Sequence, residues 1–350
     1  MTQLLRIAVI GAGLIGKVHV SQIQASTDCI LAGIADPTPE GKDYTEAKRV
    51  PWFETLDELL MAGQVDGVIL ATPNKLHSEQ AQQCIAAGVA ALIEKPVAHS
   101  VAEGRALLSI AESSTTPLIV GHHRAHSPIM SQAKRTIESG ALGNLVAITG
   151  SAMFYKPADY FEAGPWRTQP GGGPILINMI HEIGNLRYLC GEISALQAMG
   201  SNTQRGYPVE DTVGILLRFT SGALGTFVLS DTAASARSWE QTSQENKAYA
   251  TYPKEDCYHI AGTLGALSVP TMRLQQFDQA NSRSWYEAMS ETTISLERED
   301  PLTVQLQHFC QVIRGQVDPL VSVRDGLQNL LITEAIAEAA QSEKTVLIDS

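Results

Sequence analysis

The stretch IAVIGAGLIG, residues 7–16, constrains the fold of this chain more than any other segment. An apolar run ends in three glycines spaced as GxGxxG, and an amphipathic segment follows. A strand that turns into a helix at such glycines brings free backbone amides and the positive end of the helix dipole against a pyrophosphate. The stretch therefore predicts a dinucleotide-binding βαβ unit. The residues predicted to contact the cofactor here are Gly11, Gly13, Leu14, Ile15 and Gly16.

The first 122 residues alternate short apolar runs with amphipathic segments. After the opening run the chain carries ILAGIAD, VDGVILATP, AALIEKP and PLIVGHH, separated by stretches with helical spacing. Continuous aliphatic runs between helices are typical of parallel strands, because both faces of such a sheet are covered. We therefore predict a doubly wound α/β domain over residues 1–122, with its binding site beyond the carboxyl ends of the strands.

An acidic residue ends the second apolar run. Asp36, in ILAGIADP, stands where a carboxylate accepts hydrogen bonds from the adenosine ribose. The same carboxylate repels a 2′-phosphate, so the sequence favours NAD over NADP as the cofactor. The alternative is that Asp36 is an ordinary turn residue before Pro37.

Polar side chains follow the next two apolar runs. Lys95 ends the run AALIEKP and lies at a strand end, where a nicotinamide ring is expected. Its ammonium group can stabilise an oxygen that gains negative charge during hydride transfer, whereas the alternative is a lysine exposed to solvent. The other residues predicted to contact the cofactor at these strand ends are Thr72, Pro73, Asn74, His77 and Glu94.

The pattern changes after residue 122. A helical segment at 128–143 precedes the runs NLVAITGSAMFY, DTVGILLRFTSGALGTFVLSDTA, CYHIAGTLGALSVPTMRLQQF and TISLERE, which indicate consecutive strands with tight turns. Two helical segments, TVQLQHFCQVIRG and DGLQNLLITEAIAEAAQS, come last. We predict a second, α+β domain over 123–350 with a large, open and mainly antiparallel sheet. The polar stretch 233–256 is predicted to be a long loop over a site or a subunit contact.

Charge and cysteine content exclude several classes of protein. A formal charge of −12 argues against a nucleic-acid partner and against an anionic membrane surface, since both need a basic face. The five cysteines form no CxxC pair, which favours free thiols in a reducing compartment over disulfides or a zinc site. The sequence shows neither a membrane helix nor a charged N-terminal segment with a cleavable apolar stretch. We therefore expect a cytoplasmic protein.

The stretch GGGPILINMIHEIGN, residues 171–185, combines a glycine turn with a predicted buried helix. Asn178 and His181 are three residues apart, so they share one face of that helix with aliphatic neighbours. Two interpretations of this polar pair are open. Either the two side chains bond each other and the backbone inside the core, or they act on a ligand.

Taken together, these motifs resemble the Gfo/Idh/MocA family of oxidoreductases. GAGLIG, ATPNKLH and EKP, a WR…GGG…H arrangement and the late VIRGQVDPLVSVRDGLQNLLITEAI extend the resemblance over nearly the whole chain. The resemblance implies a Rossmann domain followed by an α+β domain whose open sheet forms homodimers or homotetramers. It also implies hydride exchange between a nicotinamide cofactor and a hydroxyl or carbonyl group of a sugar, cyclitol or sugar acid.

The resemblance further implies site residues, position by position. Lys95 matches the lysine between substrate and nicotinamide, and His181 matches the histidine that exchanges the proton of the reacting hydroxyl. Many members have an acid four residues before that histidine, where this chain has Ile177, and another three residues after it, where it has Gly184. Asn178 is then the nearest replacement, because an amide can orient the substrate although it cannot shift the charge of the histidine.

Four more residues are implied near the cofactor and the substrate. Trp166 and Arg167 match a Trp-Arg pair that reaches both molecules. Arg124 matches an arginine at the start of the second domain, and lies in GHHRAHSP, whose three histidines have the short spacings of metal ligands. An arginine inside the cluster suits a substrate rim better, so we predict no metal and assign His123 to substrate binding.

The chemistry of the predicted pocket leaves the substrate open. Its basic side chains hint at a carboxylated or otherwise electron-rich substrate, and they are Lys95, Arg124, Arg167 and His181. One alternative function is a dihydrodiol dehydrogenase that acts on a cyclohexadiene diol. Another is a non-catalytic dinucleotide-binding regulator that kept the fold but lost the acid of the family.

Overall fold

Six parallel strands form the sheet of the first of two units. The computed structural model describes residues 3–278 and 283–349, and contacts divide the chain into unit 1, Met1–His126 with Asp300–Leu330, and unit 2, Ser127–Glu299 with Leu331–Ser350. The strands of unit 1 are β1 (Leu5–Ile10), β2 (Cys29–Ala35), β3 (Trp52–Phe53), β4 (Gly67–Leu70), β5 (Ala90–Glu94) and β6 (Leu118–Gly121). They lie in the order β3-β2-β1-β4-β5-β6 with parallel neighbours, which confirms the predicted doubly wound sheet.

Helices connect these strands and cover both faces of the sheet. They are α1 (Leu14–Ala25), α2 (Pro39–Lys48), α3 (Leu56–Met61), α4 (His77–Ala87) and α5 (Val101–Ala111), with short 3-10 helices at Asn74–Leu76 and His123–His126. Successive residues of a strand point to opposite faces. In β1, Ile7 and Val9 belong to one apolar core, and Ala8 and Ile10 to the other. The aliphatic runs are therefore continuous because both sides of the sheet are buried.

Unit 2 is built on a nine-stranded sheet. Its strands are β7 (Leu145–Met153), β8 (Ile193–Ser201), β9 (Thr212–Phe219), β10 (Leu224–Ser230), β11 (Tyr258–Gly262), β12 (Gly265–Val269), β13 (Arg273–Gln276), β14 (Ser290–Thr293) and β15 (Val346–Leu347). Their order is β14-β13-β12-β11-β7-β10-β9-β8-β15. Among the described strands of this second sheet only the pairing of β7 with β10 is parallel, so the sheet is mainly antiparallel, as predicted.

Helices α6 (Pro128–Glu138) and α8 (Ile180–Cys190) and the later part of α11 (Val323–Ser342) pack on one face of this sheet. Unit 2 also contains the short helices α7 (Ala158–Glu162) and α9 (Trp239–Thr242). Helix α10 (Pro301–Ile313) and the first part of α11 belong to unit 1. Residues of β9 alternate between buried and exposed: Val213 and Ile215 enter the apolar core with α6 and α8, whereas Leu216 is exposed. The half-buried alternation is typical of a sheet that is covered on one side.

The predicted domain division differs from the contacts in two segments. The sequence placed all of 123–350 in the second domain, but residues 123–126 and Asp300–Leu330 group with unit 1. The second of these is the larger difference. The reason is the apolar face of α10, because Leu306, Phe309 and Cys310 pack in the same core as β1. Hydrophobic periodicity identifies a helix with a buried face, although it does not say which core receives that face.

Two local predictions also differ from the structure. The segment TISLERE was expected to be a strand, but β14 ends at Thr293, where that segment begins. The stretch 233–256 is mostly loop, as expected, although it contains the short helix α9. Trp239 of this helix is buried, and its indole nitrogen donates to Glu245 at 2.8 Å. The loop is thus anchored within unit 2.

None of the helices described in the structure is both long and apolar enough to cross a membrane.

Candidate active site

The glycine loop after β1 is shaped to receive a phosphate group. Gly11 has φ of +92°, and a Cβ there would lie 2.8 Å from the carbonyl oxygen of Ala71. A Cβ on Gly16 would lie 1.9 Å from the carbonyl oxygen of Gly11, so helix α1 approaches the loop closely. A Cβ built on Gly13 would meet no atom within 4 Å. Gly13 is also the N-cap of α1, and no side chain accepts a hydrogen bond from the first amides of that helix. The open approach and the uncapped amides fit the pyrophosphate of a dinucleotide.

Asp36 lies beside this loop, immediately after β2. One carboxylate oxygen accepts from the amide of Ala12 at 2.6 Å, and the other accepts from the amide and the hydroxyl of Thr38 at 2.9 and 2.5 Å. Burial alone would raise the pKa of Asp36, but these hydrogen bonds outweigh it and hold the pKa below its ordinary value. Asp36 is therefore a buried carboxylate. Its bonds to Thr38 are those of a turn residue, and its bond to Ala12 additionally joins the end of β2 to the glycine loop.

Replacement of Asp36 by alanine is expected to weaken NAD+ binding about tenfold and to reduce the preference for NAD+ over NADP+. It also leaves the buried amide of Ala12 without its acceptor, which costs about 1–3 kcal/mol of unfolding free energy. Because the pKa of Asp36 is lowered in the fold, this stability is present above the ordinary pKa of an aspartate and is lost as pH falls through the folded value.

Fluorescence titrations with both dinucleotides and urea unfolding at neutral and acid pH measure these effects. Asp43→Ala is the matched control, since Asp43 is an exposed acid on α2. An unchanged dinucleotide preference in the Asp36 variant would contradict the assignment.

His77 connects the chain segments that follow β4 and β5. Its Nδ1 lies 2.7 Å from the carbonyl oxygen of Pro96, and its Nε2 lies 2.8 Å from that of Thr72. Both ring nitrogens therefore face backbone, and the imidazole holds the loop carrying Thr72 against the loop that follows Lys95. The sequence predicted that His77 contacts the cofactor. The structure shows in addition that its ring bridges two loops.

Glu94 ends β5 and forms a buried pair with a residue that the sequence analysis missed. His19, on α1, lies 2.7 Å from a carboxylate oxygen of Glu94 through Nε2. Burial opposes the charge of Glu94, but the bond to His19 and nearby positive groups hold its pKa below the ordinary value. The next residue, Lys95, is partly buried and donates its backbone amide to Glu94 at 3.2 Å.

Two histidines that follow β6, His123 and His126, are uncharged at neutral pH. Burial, helped by the positive charge of Arg124, lowers the pKa of His123 to about 3, and burial with nearby His308 does the same for His126. Arg124 itself is 4% exposed. His123 therefore adds hydrogen-bonding capacity but no charge to this strand end. Within 3–278 and 283–349, no group of three or more histidine, cysteine or acidic side chains is placed to hold a metal ion.

All the predicted cofactor residues of unit 1 lie at or just after the carboxyl ends of β1, β2, β4, β5 or β6. The sheet therefore brings them to one edge, as the parallel topology requires. This edge gathers the glycine loop, the Asp36 carboxylate, Lys95 and Arg124. Their chemistry suits a phosphate, a ribose hydroxyl and a developing negative charge, and these roles stay predictions.

Asn178 and His181 lie in the helical run of unit 2 that begins after the glycine turn. The run opens with one π-helical turn, Ile175–Met179, and continues as α8, whereas the sequence predicted a single regular helix. The two side chains are each 8% exposed. A π-turn inserts an extra residue into the helical repeat, and such turns are frequent at functional sites.

Lys156 contacts Asn178, although the sequence analysis did not single it out. Its ammonium nitrogen donates to Oδ1 of Asn178 at 2.6 Å and lies 4.0 Å from the carboxylate of Asp231. Arg205 pairs with the other oxygen of Asp231 at 2.7 Å. Lys156, Asp231 and Arg205 thus form a polar cluster of two cations and one carboxylate, which contacts Asn178 through Lys156. The signal in the sequence was weak, because a Lys-Pro pair after a strand is common in surface loops.

Trp166 and Arg167 lie on a 3-10 helix of unit 2, Pro165–Thr168. The indole of Trp166 is 57% exposed, so a large apolar surface is available to a ligand. The guanidinium of Arg167 stacks 4.0 Å over the ring of Tyr160 and donates to the Tyr160 carbonyl oxygen. Stacking and hydrogen bonding fix the orientation of this cation, while its role in binding stays a prediction.

Comparison with protein families decides the identity of the fold. Residues 5–122 match the family model described as the oxidoreductase family, NAD-binding Rossmann fold, and residues 130–268 match the GFO/IDH/MocA C-terminal domain. The chain belongs to the Gfo/Idh/MocA family of oxidoreductases. Both halves of the predicted resemblance are therefore confirmed, and with them the NAD-binding Rossmann domain.

Relatives within the Gfo/Idh/MocA family match over almost their full length. The chain is 23% identical to inositol 2-dehydrogenase of Rhizobium meliloti, over 98% of this chain and 99% of the relative. It is 25% identical to myo-inositol 2-dehydrogenase of Thermotoga maritima, over 99% of both. These relatives are named dehydrogenases, and this chain shares with them the oxidoreductase family and its NAD-binding Rossmann fold.

A solved structure of the same fold covers both units. An oxidoreductase from Agrobacterium radiobacter, in complex with NAD+, L-tartaric acid and magnesium, aligns with a TM-score of 0.81 at 21% identity, over 99% of this chain and 98% of the other. At this identity the likeness shows the fold alone. It confirms the order of a Rossmann unit followed by an α+β unit with a large sheet.

Proposed function

We propose that this protein exchanges a hydride between NAD and a ring or chain hydroxyl of a sugar, cyclitol or sugar acid. The observation that carries the proposal is the carboxyl edge of the first sheet, where an uncapped helix end and a buried Asp36 carboxylate flank an open glycine. The named relatives act on inositol, apiose and levoglucosan, which are all rich in hydroxyl groups. The proposed substrate class extends that shared chemistry to this chain.

The bound nicotinamide supplies the hydride acceptor for alcohol oxidation and the hydride donor for the reverse reaction. We assign the remaining steps to side chains. Lys95, at the end of β5, holds the reacting oxygen and stabilises its negative charge through the ammonium group. His181 takes the hydroxyl proton as a general base and returns it in the reverse direction. Asn178 orients the substrate through its amide.

The other predicted residues complete the proposed binding surfaces. Arg124 and His123 follow β6 in unit 1, and their donors suit the oxygens of a substrate or of the nicotinamide amide. In unit 2 the exposed indole of Trp166 offers an apolar face to a sugar ring, and Arg167 offers a fixed guanidinium. These assignments rest on the sequence motifs and on the local structure of each unit.

We also propose that the protein is a cytoplasmic homodimer or homotetramer. Exposed apolar residues stand on the uncovered face of the nine-stranded sheet, among them Leu216, Leu224 and Val228. A second copy of this face would cover them. The five cysteines are all free and buried, which suits a reducing compartment. Sedimentation analysis measures the oligomeric state.

A substrate panel tests the proposed function. We expect NAD+ to be reduced, measured by the absorbance of NADH, with at least one of myo-inositol, scyllo-inositol, D-apiose, levoglucosan and D-gluconate. The reverse assay follows oxidation of NADH by 1,5-anhydro-D-fructose. Oxidation of a cyclohexadiene diol alone would favour the dihydrodiol dehydrogenase. Binding of NAD+ without turnover of any of these compounds would favour the non-catalytic regulator.

A further inference from the structure

Lys156 is held in place from several directions within unit 2. Its backbone amide donates to the carbonyl oxygen of Asp231 at 2.8 Å, and its own carbonyl oxygen accepts from Arg205 at 2.8 Å. Its ammonium group lies over the rings of Tyr160 and Phe154, 4.9 and 5.5 Å from their centres. The side chain is only 5% exposed. Such fixation makes Lys156 a rigid donor, because few other conformations remain to a buried and stacked lysine.

This donor decides which way the carboxamide of Asn178 faces. An ammonium group carries three N–H donors and no acceptor, so only the carbonyl oxygen of Asn178 can meet it. The contact is 2.6 Å long and joins a charged donor to an amide oxygen. Turning the carboxamide over would bring its N–H groups against the ammonium. The amide nitrogen therefore faces away from Lys156, and no hydrogen-bond acceptor for it is found among the residues that the structure describes.

We propose that Lys156 is a positioning residue of the active site, which holds Asn178 so that its N–H groups meet an acceptor oxygen of the substrate. This inference rests on the proposed function, because it concerns how the same site selects its substrate. The ligand group at Asn178 is an oxygen with free electron pairs, either a hydroxyl that accepts or a carboxylate. A substrate hydroxyl that must donate at this point finds no acceptor on Asn178.

The charge state of Lys156 gives the arrangement a pH dependence. Burial lowers the pKa of Lys156 to about 8, although nearby acids oppose the shift. The charged and titratable groups that face it are Asp231 after β10, Glu240 on α9, Glu210 before β9, Arg205 after β8, Arg167 on the 3-10 helix and Tyr160 on α7. Above this pH the ammonium becomes an amine, which can accept as well as donate. The carboxamide of Asn178 then loses its single orientation.

Kinetics of four variants test the inference with the panel compound that is oxidised. For Lys156→Met we expect KM to rise about tenfold while kcat stays within about threefold, because the change removes the orientation of a binding group. Asn178→Asp keeps a partner for Lys156 and is expected to fold, but it offers no N–H and raises KM similarly. Lys156→Arg keeps the charge and restores most of the affinity. Lys254→Met, on an exposed lysine of unit 2, is the control.

The pH profile separates positioning from a merely structural role. We expect kcat/KM of the wild-type protein to fall above about pH 8, in line with the pKa of Lys156. The fall moves to higher pH in Lys156→Arg, since arginine stays charged, and is absent in Lys156→Met. Wild-type KM in Asn178→Asp, or an alkaline limb that is the same in all variants, overturns the inference.

A second measurement needs no substrate. In thermal unfolding of Lys156→Met, Asn178→Ala and the double variant, the double variant is expected to lose less stability than the two single losses together, because both changes break one contact. Additive losses overturn the inference whether or not any compound is oxidised. Absence of turnover across the whole panel, with coupling between residues 156 and 178 intact, overturns the proposed function instead.

Discussion

Lys95→Met is expected to lower kcat by about 10²- to 10³-fold and to leave NAD+ binding nearly unchanged. Removal of a single donor from a site that stabilises a developing oxyanion has an effect of this size. Methionine keeps the length and the apolar stem of lysine, so the segment after β5 keeps its packing. Initial rates with the panel compound that is oxidised give kcat, and quenching of protein fluorescence by NAD+ gives the affinity.

Lys75→Met is the matched control for this substitution, because Lys75 follows β4 at the same sheet edge but is exposed. A neutral side chain at that position should leave both quantities unaltered. If Lys95→Met kept kcat within threefold of the control, the role of Lys95 at the reacting oxygen would be wrong. A parallel loss of NAD+ affinity would instead assign it to cofactor binding.

His181→Ala is expected to lower kcat by about 10²- to 10⁴-fold, which is the range that a general base contributes. Because alanine leaves space where the ring was, added imidazole should restore part of the lost rate in a concentration-dependent manner. The effect should fall on kcat more than on KM, since the proton moves in the transition state and binding of the hydroxyl relies on other donors.

His259→Ala serves as its control, since His259 is an exposed histidine on β11 of the same unit. Equal activities of the two alanine variants would show that His181 belongs to the core of the helix and not to the reaction. Thermal unfolding of both variants separates that outcome from simple destabilisation, because His181 is 8% exposed and its removal leaves a cavity.

Much of the architecture was predictable because its causes are local in sequence. The run from Ile7 to Gly16 encodes a strand, a tight turn and a helix start in consecutive residues, and the structure places each where expected. The buried strands of unit 1 are continuous aliphatic runs, and those of unit 2 alternate, because one sheet is covered on both faces and the other on one. The position of Asp36 at the end of β2 could likewise be predicted.

Other features depend on contacts between residues that are far apart in the chain. A helix was predicted over TVQLQHFCQVIRG, residues 303–315, and the structure has it at Pro301–Ile313. Its place in unit 1 depends on a core formed largely by residues far earlier in the chain, such as Ile7 and Val9. The bond between His19 and Glu94 joins α1 to the end of β5, and no sequence pattern around either residue indicates that the two are in contact. The π-turn at Ile175–Met179 could not be predicted, because one extra residue in a helical turn changes the spacing of the apolar residues too little to be recognised.

The sequence by itself determined the family and the two kinds of sheet, because these follow from residue order within short segments. Only the tertiary structure decided which side chain Asn178 is bonded to. This chain has Ile177 and Gly184 at the two positions where many family members have an acid, and the sequence could only suggest Asn178 as a replacement. The fold brings to it the ammonium of Lys156, fixed in turn beside Asp231, 75 residues further along. A hydrogen bond between two segments of unit 2, and not the helix that carries Asn178, sets which atom of its amide faces Lys156.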